Sequence, residues 1–289
     1  MQLSKVFIAV ISALCTTSAM ANDINNNQEV TIDSVWDETS NNPSRIRVGY
    51  ETDGALNIVQ GGDVLTKYFH IGQEDSTGTV NVIDGGKLTV NADGSAYPFD
   101  IGGSDDGQNH KGTGTLNVSG QGSLVTISSK TAAALQVGAG DGNGFMNISD
   151  GGKVRHESGG IWIGGRASSS GETSGVVSVD GTDSELWSVG TIHVGTYGSG
   201  SLTTSNGGHT HSETSITVGS TDVSSAYDNL MSVKGADSII SSNGNITAGV
   251  QGKGTAVASD SGTLSASEIH IAYASGSRGE TGSRCQSGC

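Results

Sequence analysis

Proline occurs twice in 289 residues, lysine and arginine together number 14 against 29 acidic residues, and aromatics make up 4%. Each scarcity excludes something. The few cations never cluster, and at a net charge of −15 they offer no basic face for phosphate, so nucleic acid is not expected as a partner. Beyond the first twenty or so residues no apolar run is long enough to span a bilayer as a helix. No apolar i, i+3, i+4 series occurs, so helix should be negligible. Glycine is the opposite case, at 46 residues. With serine it would suggest disorder, and no Gly-X-Y register makes it collagen.

A strict apolar pattern overrides disorder. Nine segments read apolar, any residue, apolar, then glycine or alanine: Ile46-Arg47-Val48-Gly49, Phe69-His70-Ile71-Gly72, Phe99-Asp100-Ile101-Gly102, Leu135-Gln136-Val137-Gly138, Ile161-Trp162-Ile163-Gly164, Ile192-His193-Val194-Gly195, Ile216-Thr217-Val218-Gly219, Ile246-Thr247-Ala248-Gly249 and Ile269-His270-Ile271-Ala272. This period of two marks a strand with one buried face. Successive copies start 23 to 36 residues apart. A repeat of that length indicates a solenoid whose units bury apolar surface only by stacking.

Each repeat holds two further strands. One follows a Gly-rich turn, such as Gly112-Thr113-Gly114 or Gly198-Ser199-Gly200, and carries Leu56-Asn57-Ile58, Val80-Asn81-Val82, Leu116-Asn117-Val118 or Met146-Asn147-Ile148. A second turn is either a Gly-Gly pair, as at Gly85-Gly86 and Gly151-Gly152, or Gly-x-Gly/Asp-Ser, as at Gly120 to Ser123 and Gly181 to Ser184. It opens a third strand, such as Lys87 to Val90. Three short strands per turn predict an all-β parallel β-helix of about nine coils, a rod roughly 40 Å long.

At the N-terminus, Lys5, an apolar stretch from Val6 to Leu14 and the small-x-small sequence Ala19-Met20-Ala21 form a cleavable export signal over residues 1–21. Residues 22–45, with Trp36 and Pro43, read as an N-terminal cap, and 46–276 as the solenoid. Residues 277–289 change character. They hold Cys285 and Cys289, and read as a disordered tail left by truncation or a frame shift.

The I-x-V-G strand, the L-N-V strand followed by Gly-Gly, and the alternating Gly-x-Gly-Ser turn resemble the repeat in passenger regions of bacterial type V autotransporters, over roughly residues 46–276. The resemblance implies an exported, right-handed β-helix at the cell surface or outer membrane, or secreted, acting in adhesion, aggregation or virulence. The implied partners are a host-cell or matrix glycan or protein, or a second copy. Family members also carry a translocator β-barrel, and no alternating ten-residue strands of that kind occur here. For this chain as it stands, the periplasm is the expected location.

The middle residues of the first strand, Arg47, His70, Asp100, Gln136, Trp162, His193, Thr217, Thr247 and His270, are predicted to form an outward ladder. It is either a ligand face, with Trp162 beside His193 offering a stack for a sugar ring, or a plain solvated face. Asn57, Asn81, Asn117 and Asn147 are predicted to form an amide ladder with a structural role. His209 and His211, with Glu213, could share a metal but lack a fourth ligand, and chance placement is the preferred reading. Asp-Gly runs at Ser104 to Gly107 and Gly140 to Asn143 look like calcium loops without the nine-residue repeat of a calcium β-roll. Neither the Gly-x-Ser-x-Gly elbow nor the Gly-Asp-Ser-Gly of serine-protease autotransporters is present. No catalytic, cofactor or metal residue is therefore assigned. The rival reading is a secreted β-helical polysaccharide lyase or glycoside hydrolase.

Overall fold

The computed structural model describes residues 23–40, 44–94, 97–104, 110–130, 134–166, 173–220 and 227–271, together with the backbone of Ala9–Val10 and Arg278–Gly282. Every pairing between its strands is parallel, and the strands stack into three sheets of ten, eleven and nine strands. We number these faces in the order the chain visits them. Face 1 carries the I-x-V-G segments, from Asp23–Ile24 to Glu268–Ile271. Face 2 holds the L-N-V strands, and face 3 runs from Val35–Asp37 to Thr263–Ser265. The protein is thus a parallel β-helix, and no described residue is helical.

Stacking puts like on like. Phe69 pairs with Phe99, Phe99 with Leu135, and Leu135 with Ile161, so the predicted interior column exists. All four side chains are fully buried, and the two phenyl rings meet edge to face with centroids 5.3 Å apart. Where the apolar pattern weakens, at Thr204, a second inward hydroxyl meets it: Thr204 and Thr210 hydrogen-bond at 2.8 Å, both fully buried.

Glycines of the I-x-V-G segments make the corner from face 1 to face 2. At Gly102, φ is +77°, and a Cβ would fall inside the carbonyl of Asn143 in the next coil. Gly114 and Gly200, expected in turns, instead lie within face-2 strands and point inward. They belong to a column of small residues that Asn229 interrupts. Asn229 is buried, and its amide accepts from Gly200 N–H at 2.9 Å and donates to Lys253 C=O at 3.0 Å.

The corner from face 2 to face 3 explains the two alternating turn types. Ser184 donates to the carbonyl of Asp180 at the end of its own strand and accepts the N–H of Gly151 in the coil below. Ser123 does the same for Ser119 and Gly85, and Ser238 for Lys234 and Gly207. A Gly-Gly coil and the Gly-x-Gly/Asp-Ser coil above it are therefore bonded as a pair.

Residues 23–37, expected as a cap, follow the coil path: Asp23–Ile24, Gln28–Ile32 and Val35–Asp37 pair with the strands of the next turn on all three faces. Trp36 points inward there and donates to Glu38 at 2.6 Å. Of the expected signal, only Ala9–Val10 is described, paired with Val30–Thr31. Its cleavage site lies outside the described residues. Arg278–Gly282, expected as disordered tail, is a strand beside Lys253–Val257, while Cys285 and Cys289 lie outside the described residues.

Candidate functional site

The predicted ladder occupies the outward side of face 1, one residue per coil in unbroken register. Parallel stacking at about 4.8 Å brings each side chain onto the next, and most are engaged with one another. Arg47 grips Asp23 of the layer below through two nitrogens, at 2.6 and 2.5 Å, and lies 3.4 Å from the Tyr50 ring centre. Gln136 donates to Asp100 at 3.0 Å, and Asp100 lies 3.5 Å from His70 Nδ1. Trp162 and His193 stack with centroids 4.9 Å apart at 23°, and His193 reaches Thr217 at 2.9 Å. His270 pairs with Glu268 at 2.9 Å.

Three rungs expected in solvent are buried: His70 at 5% exposure, Asp100 and Gln136 at 0%. Period-two reasoning assigns a side chain to a face but does not see what folds over that face. Gln73 Nε2 lies 3.1 Å from His70 Nδ1. Burial, with Arg45, Arg47 and His110 nearby, pushes His70 down to about 3. Burial and Arg166 push His193 down to about 4. The Trp162 ring is engaged twice, by the His193 stack and by Arg166, whose guanidinium carbon lies 4.7 Å from its centre. Arg166 also lies 4.9 Å from the Tyr97 ring centre. Face 1 is thus an internally bonded spine, with little of its polar surface left to a ligand.

On face 2 the amide ladder is present. Asn147 donates to Asn117, Asn117 to Asn81, Asn81 to Asn57 and Asn57 to Glu29, at 2.7 to 2.9 Å.

Face 3 carries two outward columns of charged, aromatic and hydroxyl side chains, among them the two histidines singled out in the sequence. Thr126, Arg155, Trp187, His211 and Ser241 form one outward column, and Leu124, Lys153, Glu185, His209 and Ile239 its neighbour. Arg155 straddles both oxygens of Glu185 at 3.1 and 3.2 Å, and Lys153 shares that carboxylate at 3.5 Å. Trp187 Nε1 donates to Glu213 at 3.2 Å, and Asn243 holds the other oxygen of Glu213. His211 lies 3.4 Å from Glu213 through Nε2 and bonds Ser241 through Nδ1 at 2.8 Å, whereas His209 contacts the Asp237 carbonyl at 3.2 Å. The two imidazoles thus have different protein partners. A cavity of about 370 Å³ opens beside this strip, lined among others by Leu124, Thr126, Lys153, Arg155 and Glu157. The signal in the sequence was Arg155, Trp187 and His211 at equivalent positions of consecutive third strands.

Of the two Asp-Gly runs, Asp105 to Gly107 lies outside the described residues, and Gly142 closes a tight turn onto the Ala139 carbonyl at 2.9 Å. No protein family, curated protein or solved structure matches the chain.

Proposed function

We propose that the chain is an exported, non-enzymatic β-helical passenger of the autotransporter kind, serving as an adhesive or scaffolding rod. The observation that carries this reading is the continuity of the outer faces. Polar side chains bond coil to coil up faces 1 and 2, as the asparagine ladder does over four bonds. Such a surface suits an extended, rigid display better than a reaction centre. The N-terminal signal delivers the chain across the inner membrane, with Asn22 as its mature start.

Adhesion is tested with beads coated with the full chain and offered to cultured host cells. Retention well above albumin-coated beads is expected, and retention equal to albumin overturns the adhesive role. The same preparation should release no reducing ends from polysaccharides. Turnover abolished by one acidic substitution would establish the enzyme instead.

A further inference from the structure

We propose that face 3 binds a linear, hexose-based glycan, seated with one sugar on Trp187 and the next over the cavity beside Arg155. This deepens the adhesive reading above by naming a face and a ligand class, and it rests on that reading for its biological use.

Trp187 is an outward aromatic held in one orientation. Its indole N–H is tied to Glu213, and Asn243 holds that carboxylate from the other side. An aromatic plate with fixed edges is what the C–H face of a pyranose stacks on, because the electron-rich ring attracts slightly positive C–H groups. Around the plate stand planar polar groups that pair with adjacent sugar hydroxyls. Glu213 accepts on one side. The Arg155 guanidinium, braced by Glu185, stands over one face of the ring at 6.0 Å from its centre, so the sugar takes the rest of the plate. Beyond Arg155, the cavity of about 370 Å³ offers Lys153, Thr126 and Glu157 as further hydroxyl partners and Leu124 as an apolar wall. A pocket with an apolar or aromatic wall and a few convergent polar groups is the usual form of a small-ligand site. Coil spacing of about 4.8 Å is close to the length of one sugar along a chain, so neighbouring sugars meet neighbouring coils.

Two other ligand classes fit less well. A peptide adding itself as a strand needs a free edge, but Glu185–Ser188 is paired on both sides. A polyanion needs surplus positive charge, whereas Lys153 and Arg155 share Glu185 and line the cavity together with Glu157.

The test uses the full chain with cellohexaose, laminarihexaose and chitohexaose, read by tryptophan emission and checked by calorimetry. At least one of them should bind saturably. Trp187→Ala should weaken that binding about tenfold or more, and Glu213→Gln and Arg155→Ala by less. Trp162→Phe should leave it unchanged. Thermal unfolding of each variant separates lost binding from lost structure, and Arg155→Ala, at a solvent-facing position, serves should Trp187→Ala unfold. Absence of saturable binding by all three hexasaccharides overturns the proposal. So does affinity in folded Trp187→Ala within twofold of the parent, or capture of strands from a synthetic peptide library in place of sugars. If coated beads adhere to cells while no hexasaccharide binds, the adhesive reading stands and this site falls. Trp187-dependent sugar binding without bead adhesion has the reverse meaning.

Discussion

Ser184, with only two side-chain heavy atoms, joins two coils. Its hydroxyl donates to the Asp180 carbonyl at 2.7 Å and accepts the buried Gly151 N–H at 3.1 Å. Ser184→Ala removes both bonds and strands an N–H with no route to water, which costs about 1–3 kcal/mol. Urea unfolding should show a lower midpoint at unchanged slope. An unchanged midpoint would mean that the paired-coil bond contributes nothing. Histidines at the same scale make stability depend on pH. His156 points into the core with its Nδ1 accepting the Gly159 N–H at 3.1 Å, and burial lowers it from 6.5 to about 4. His193 is lowered to about 4 as well. In the unfolded chain both protonate near 6.5, so between that pH and 4 the unfolded state holds the extra protons. Stability is therefore full above pH 6.5 and declines as pH falls toward 4. The loss for His156 alone is on the order of 3 kcal/mol. Denaturation midpoints measured across that window should fall with pH, and His156→Gln should flatten part of the slope. A flat profile would contradict the buried neutral imidazole.

The asparagine ladder sets the next scale, where one residue's worth depends on its neighbours. Asn117 both donates to Asn81 at 2.8 Å and accepts from Asn147 at 2.9 Å. Asn117→Ala breaks two amide bonds and Asn147→Ala one, at about 0.5–1.5 kcal/mol each. Asn117→Ala should thus be about twice as destabilising as Asn147→Ala by urea midpoint. Equal losses would show that the bonds do not add along the stack. This ladder was legible in the sequence because identical residues recur at one position of a stacked repeat. The interior columns were legible for the same reason, since strict alternation sorts inside from outside. The fate of face 1 was not. His70, Asp100 and Gln136 alternate as solvent-facing residues do, and their burial reflects neighbours that alternation does not register, such as Gln73 three residues along the same strand as His70. Nor was Trp187 recognised as a platform, because its role comes from Glu213 and Asn243 in two later coils. The turn alternation was visible as a pattern, but only the Ser184–Gly151 and equivalent bonds explain it.

Over the whole molecule each coil touches only its neighbours, so stability is a sum of coil and interface terms, and opening spreads from weak interfaces. Burial along the rod is uneven. From Ile46 to Ile246 the face-1 column is fully buried, whereas in the last described coil Ile269 is 43% exposed and Leu264 and Ile271 are only half-buried. That coil gains less from apolar burial, at roughly 25 cal/mol per Å² removed from water, and its face-1 strand has one described partner, Asn245–Ala248. Local opening should therefore require least free energy at residues 263–271 and most between Phe99 and Val194, where the interior columns are closed on both sides. Hydrogen exchange read by mass spectrometry resolves this directly. Peptides from 263–271 should exchange first, those from 229–259 later, and those from 99–194 last. Uniform exchange across all coils would mean that the rod opens in one cooperative step, with interfaces strong enough to outweigh the difference in burial between one coil and the next.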